Sequence, residues 1–508
     1  MKLVIDNQLV TVAELRQAWL APVEIELGPE ARRRVAESQE LIDDIVAHGE
    51  TIYGVNTGFG QLASVRISND ELATLQENLV RSHAVGVGDD LSDDIVRLVM
   101  LMKVIALAEG FSGVRLELVD TLCALINNRI YPRIPSRGSV GASGDLAPLA
   151  HMAGALLGIG EVRVNGDVVP AATALREAGI EPVRLAPKEG LALLNGTQVS
   201  TAIAFAAVFR TENVLSAALM AGAMSSDAIK GSDTPFDRRI QSVRGHGGQI
   251  AVATVLRELM RDSEIRASHE DCDRVQDPYS IRCQPQVMGA CLEVLRHVCK
   301  VLKTEANAVT DNPLVFSDGR EVLSGGNFHA EPVALAADYL ALAIAEIGAL
   351  SERRVALLID SHLSELPPFL VEDSGLNSGF MMAQVTAAAL ASENKSHAHP
   401  ASVDSLPTSA NQEDHVSMAT FAARRLHTML DNVADIVAIE LLAAAQGVEF
   451  RKLRSSPAIE EVIAAIRKLS PRYEQDRSLA PDILRVAATI ENGDYCRYAE
   501  SVLPSVAE

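Results

Sequence analysis

Residues 138 to 148, GSVGASGDLAP, place three glycines and two serines ahead of an apolar helical stretch, with Asp145 directly after the third glycine. One reading is structural: Ser143 caps the helix of LAPLAHMAGALLG, Asp145 sits near its positive end, and the glycines shape the entry turn. The other is chemical. Gly144 has no Cβ, so its amide nitrogen can approach the Ala142 carbonyl in a compressed turn that other residues could not adopt. Closing that bond and losing water from Ser143 makes a five-membered ring with an exocyclic methylidene, an electrophile no natural side chain supplies. Asp145 would then assist proton movement and water loss. A metal is the other chemistry to test for, but His397 and His399, followed by Pro400, provide too few ligands on their own, and no metal is assigned.

The chain that must position this loop has 508 residues, 48% of them hydrophobic, enough for a large core. Aromatics are only 4%, while Ala and Leu recur throughout, a mix that favours packed helices and predicts a mainly α fold. A net charge of −22 repels nucleic acid and anionic membrane surfaces, leaving small molecules and protein partners. The six cysteines, Cys123, Cys272, Cys283, Cys291, Cys299 and Cys496, lack paired CxxC spacing and are expected as reduced thiols. Alternation around Asp6-Asn7 in MKLVIDNQLVTVAEL predicts a short hairpin rather than a signal peptide. The apolar stretch near 333 to 350 is broken by Asp338 and Glu346, so no membrane span is expected, and the location is expected to be cytoplasmic.

SDDIVRLVMLMKVIALAEG reads as a helix with Ser92 at its cap and Gly110 at its exit, and a second helix is expected near Ser112. Beyond residue 285 the apolar periodicity lengthens, in VMGACLEVLRHVCKVLKTEANAV, in PVALAADYLALAIAEIGALSERRVALLID and over 415 to 449. Helices this long and apolar on more than one face need several neighbours, as in a bundle or an oligomer core. EVRVNGDVV and VFSDGREVL read as hairpins by their Asn165-Gly166 and Asp318-Gly319 turns. The expected organisation is an N-terminal part over 1–195 carrying the glycine-rich loop, a central long-helix bundle over 196–449, and a C-terminal helical layer over 450–508.

Ala142-Ser143-Gly144 within GSVGASGDLAPLAHMAG resembles the segment from which the aromatic amino acid ammonia-lyases and aminomutases build a 4-methylidene-imidazol-5-one (MIO) group from their own backbone. YGVNTGFG (53 to 60), GLALLNGTQ (190 to 198), QDPYSIRCQPQVMG (276 to 289) and NQEDHVSM (411 to 418) match in the same order, so the likeness spans about residues 50 to 450. NLVRSHAVG (78 to 86) is similar to the branch of the family that acts on histidine. The resemblance implies a central long-helix bundle of the ammonia-lyase and fumarase-aspartase kind with a loop-rich N-terminal part. It implies elimination of ammonia from L-histidine to trans-urocanate, the first step of histidine degradation. It also implies no external cofactor, and a homotetramer whose active sites are lined by several subunits.

The resemblance also assigns residues. Tyr53 matches the family's candidate base for the β-proton; a free phenol titrates near ~10 and needs a favourable environment to act near neutrality. Glu413 is an alternative base. Arg282 suits the substrate carboxylate, which a guanidinium grips through two parallel hydrogen bonds. Tyr279 is implied at the ring and Gln276 in the pocket, although Pro278 makes a regular helix there doubtful. Asn195 matches an amide that hydrogen-bonds the ring, and Phe328 a residue beside it. His83 and Glu413 would pair with the substrate imidazole, which a phenyl ring would leave unpaired. Val85 departs from the small residue expected after His83-Ala84 and either trims the pocket or packs. An aminomutase, returning ammonia to the β-carbon, a lyase acting on another aromatic amino acid, and a scaffold that has lost the chemistry are the rival readings; Ser143, Tyr53 and Arg282 are all present.

Overall fold

The structure, a computed structural model, describes residues 1–48, 52, 55, 57, 67–68, 71–269 and 275–506. It is mainly α, as composition and periodicity predicted. Gln198–Ala228 carries apolar and small residues on every face, interrupted mainly by Arg210, Glu212, Asn213 and Asp227, and runs buried along almost its whole length, which places it at the centre of the bundle. It packs against Ala419–Phe450, Glu331–Ile359, Gln284–Ala306 and Asp93–Ala108. Two of these helices are long and apolar enough to cross a membrane. The most apolar windows of Gln198–Ala228 and Glu331–Ile359 are instead 94% and 67% buried inside the protein.

Apolar surface alone would let such helices slide, and buried ions fix their register. Arg354, fully buried on Glu331–Ile359, donates to both carboxylate oxygens of Glu440 on Ala419–Phe450, at 2.5 and 2.8 Å. Ser225 and Ser351 complete the shell of that carboxylate at 2.7 and 2.6 Å. Three long helices therefore meet at one carboxylate, and removing either ion would strand the other at a cost of about 3–5 kcal/mol. Asp338, which interrupts the apolar pattern, is paired with Arg425 and accepts the backbone N–H groups of Ala401 and Ser402.

The first hairpin expectation is overturned. Lys2–Ile5 pairs in parallel with Glu24–Leu27, and between them lies the helix Val12–Leu20. Thr11 and Glu14 form a reciprocal capping box that starts this helix where alternation suggested a second strand. The other two hairpins form as expected, with Asn165 and Gly166 both at positive φ between Glu161–Val164 and Asp167–Pro170. Ser92 holds the cap position of Asp93–Ala108, but its side chain makes no capping bond. The following helix starts at Leu116 rather than near Ser112. Cys123, Cys283, Cys291 and Cys496 are free thiols; Cys272 lies outside the described residues.

Candidate active site

The helix after the glycine-rich loop begins at Leu146, and its cap position belongs to Asp145, not Ser143. Neither residue caps it through a side chain. The Asp145 carboxylate, fully buried, accepts the Ser200 backbone N–H at 2.7 Å and the Ser200 hydroxyl at 2.9 Å. It thus caps the first turn of the central helix Gln198–Ala228, where a negative charge is favoured. Its other oxygen accepts from Ser139 and Thr420, each at 2.7 Å. One carboxylate so ties the loop to the starts of two bundle helices.

With the cap taken, Ser143 is free for other work. Its hydroxyl donates to Oε1 of Glu413 at 2.6 Å, and its carbonyl accepts from Nδ2 of Asn195 at 2.7 Å. Gly144 has φ +73°, and a Cβ there would lie 2.3 Å from the Gly196 carbonyl oxygen, so only glycine fits. The next amide, from Asp145, donates to that carbonyl at 2.8 Å. The loop is further fastened by Met418, whose N–H donates to the Val140 carbonyl at 2.8 Å, and by Ser417, which donates to that of Gly141 at 3.0 Å.

These groups line a cavity of about 890 Å³ that brings Ala142, Ser143, Asn195, Phe328, His83 and Glu413 together. Its polar groups are oriented from behind. His83 ends the helix Leu72–His83, and its Nδ1–H donates to the Leu79 carbonyl at 2.8 Å, which leaves Nε2 of the neutral ring as an acceptor. Thr408 donates to Oε2 of Glu413 at 2.6 Å and pairs with it through the backbone. Oδ1 of Asn195 is buried with no hydrogen-bond partner among the described residues.

Behind Asn195 lies a group the sequence reading missed. Lys103 is buried and donates to the carbonyls of Asn195 at 2.8 Å and Ala192 at 3.2 Å, at the end of the helix Glu189–Leu194. Burial pushes its ammonium down to about 7, against the opposing pull of Asp311 and Asp145. A single lysine inside the apolar run VMLMKVIALA was the available signal. Gly196 and Thr408 were also missed, because nothing local marks a residue whose partner is remote in sequence.

Gly144 and Asp145 lie behind the lining of this cavity, and the expected site residues Gln276, Tyr279 and Arg282 are away from it. Gln276 is exposed, Tyr279 is 74% exposed, and Arg282 is only partly covered. Pro278 does not prevent a helix; it caps the single turn Tyr279–Arg282, which places the Arg282 guanidinium 5.9 Å from the Tyr279 ring centre. Val85 is 67% exposed and outside the cavity. Tyr53 lies outside the described residues.

The model of the aromatic amino acid lyase family matches residues 10–468. The chain belongs to that family. Among relatives of this lyase, a histidine ammonia-lyase of Vibrio cholerae is 57% identical, with 99% of each chain covered. The crystal structure of histidine ammonia-lyase from Trypanosoma cruzi is 42% identical with a TM-score of 0.91, covering 99% of this chain and 96% of that one. A tyrosine aminomutase from Streptomyces globisporus is 36% identical with a TM-score of 0.92, covering 98% of both chains. The fold is thus common to lyases and aminomutases, and identity is higher toward the two histidine enzymes.

Proposed function

We propose that this lyase is a histidine ammonia-lyase, a carbon–nitrogen lyase that converts L-histidine to trans-urocanate and ammonia. Near-complete coverage at 57% identity to a histidine ammonia-lyase carries the reading, and the two acceptors at His83 and Glu413 support it. An imidazolium ring in the cavity finds Nε2 of His83 and the Glu413 carboxylate ready to accept its two N–H groups, and a neutral imidazole can donate its single N–H to either. A phenyl ring would leave those acceptors unpaired at about 1–3 kcal/mol each.

Residues 142–144 fit the family's self-made group: Gly144 is pressed on Gly196 where no Cβ could stand, and Asn195 donates to the Ser143 carbonyl. A methylidene-imidazolone made from Ala142-Ser143-Gly144 supplies an electrophile that turns a poorly leaving amine into a good leaving group. Asn195 holds that group through Nδ2 and offers Oδ1 to the substrate amine, Phe328 walls it, and Asp145 holds the loop in the compressed turn. The β-proton passes to Tyr53 or Glu413.

Gln276, Tyr279 and Arg282 serve the cavity of a neighbouring subunit in a homotetramer, Arg282 gripping the substrate carboxylate and Tyr279 standing at the ring. The exposed row Leu335, Tyr339 and Leu342 on Glu331–Ile359 supports a bundle continued between subunits. Supplying histidine, phenylalanine and tyrosine separately, and following ammonia with the conjugated acid, tests substrate and reaction together. Release of ammonia and urocanate from histidine is expected. A β-amino acid without free ammonia would instead make the chain an aminomutase.

A further inference from the structure

His329 and His415 stand on the wall of the same cavity, yet neither has a part in the chemistry above. Their rings lie parallel, 5.7 Å between centres and 8° apart. Glu331, in the first turn of Glu331–Ile359, joins them: one donor atom from each of the three side chains lies within 4.8 Å of the others. Oε2 of Glu331 is buried and has no hydrogen-bond partner among the described residues. A carboxylate oxygen shut from water without a donor is costly, and a cation is one way to satisfy it.

The two imidazoles are already presented as ligands. Nε2–H of His329 donates to the His415 backbone carbonyl at 3.1 Å, which leaves the lone pair of the neutral ring on Nδ1. Nδ1 of His415 is held by the Ser405 hydroxyl at 3.2 Å, and that hydroxyl is itself fixed by the Val416 N–H at 2.9 Å. This leaves Nε2 of His415 as the free nitrogen. Each ring is thus oriented through the nitrogen that would not bind the ion, as supporting hydrogen bonds do in metal sites.

We propose that His329, Glu331 and His415 form a binding site for a divalent transition-metal ion of the zinc class, at the edge of the substrate cavity. Two imidazoles and one carboxylate suit such an ion better than calcium or magnesium, which prefer oxygen alone. With bonds of about 2.0–2.2 Å, tetrahedral ligands stand roughly 3.4 Å apart, so closing the cluster takes side-chain movements of about an ångström. Three protein donors leave a coordination position open, as in metal sites that exchange ligands.

The test is titration of the chelator-treated full chain with Co²⁺, followed by visible absorption and equilibrium dialysis. One ion per chain is expected, with a tetrahedral or five-coordinate cobalt spectrum and no thiolate charge-transfer band. His415→Gln and Glu331→Gln should each weaken binding by about 10²-fold or more, beyond what loss of a supporting hydrogen bond produces. Unfolding curves and intact mass check that the variants keep the fold, and the isosteric Glu331→Gln serves if His415→Gln does not fold. No Co²⁺ bound at 100-fold molar excess, binding unchanged in the folded variants, or a thiolate band would each overturn the site.

Discussion

Ser143 and Glu413 are 270 residues apart in the chain, yet the serine hydroxyl donates to the Glu413 carboxylate at 2.6 Å. That bond and the cap position of Asp145 change what a mutation at Ser143 tests. A capping serine would lose about 1 kcal/mol on truncation and keep its activity. Ser143 caps nothing, so Ser143→Ala should alter stability by about 1 kcal/mol or less while abolishing turnover of histidine. Intact mass is the check: the active wild type should be lighter than its sequence by two waters, and Ser143→Ala should match its own sequence.

Gly144→Ala probes the compression itself. The added methyl must enter a positive-φ turn against the Gly196 backbone, neither of which can yield cheaply. Stability should fall by more than about 1 kcal/mol, and the two-water mass deficit should disappear. A variant of full stability with the deficit intact would show that the contact with Gly196 is not required for cyclisation.

Substrate choice should depend on the two acceptors. His83→Phe removes Nε2 and should narrow the preference for histidine over phenylalanine by about tenfold or more, from the value of one unpaired buried group. Glu413→Gln keeps the shape and removes the charge, and should depress histidine turnover by about 10²-fold or more. Steady-state kinetics on both amino acids decide; a fixed preference ratio in His83→Phe would count against selection there.

The proposed sharing of sites between subunits predicts complementation. Ser143→Ala and Arg282→Ala homo-oligomers should both be inactive, while co-expression of the two chains should restore part of the activity, because some mixed cavities receive an intact residue from each. Activity of the mixed preparation, together with a tetramer mass by light scattering, checks this.

Lys103 predicts a pH signature. Its folded pKa of about 7 lies below the free value of 10.5, so between those values the unfolded chain binds the extra proton. The cost of burying the ammonium is fully present below pH 7 and is relieved as pH rises toward 10.5, at up to about 1.4 kcal/mol per pH unit. Denaturant unfolding should show that rise in the wild type relative to Lys103→Met, which has no such proton. Parallel pH profiles would refute it.

Much of this protein was legible in the order of its residues. Helical periodicity marks the long helices beyond residue 285, because a helix repeats its face locally, but it does not mark the central Gln198–Ala228, whose faces are too alike to show a repeat; the glycine-rich loop stands out because only glycine permits its turn. Residues 142–144, with His83, Asn195, Phe328 and Glu413, are marked in the sequence by its resemblance to the lyase family, and the structure gathers them round one cavity. Tertiary structure decided who holds whom. Asp145 caps the Gln198–Ala228 helix and not the one it precedes, since a carboxylate serves whichever amides packing brings to it. Lys2–Ile5 pairs with Glu24–Leu27 across a helix, where alternation could not distinguish a second strand from a capped turn. Tyr279 and Arg282 share one helical turn yet lie apart from the Ser143 cavity. Chemistry is written in residue types, which one chain carries; proximity is set by packing between segments remote in sequence.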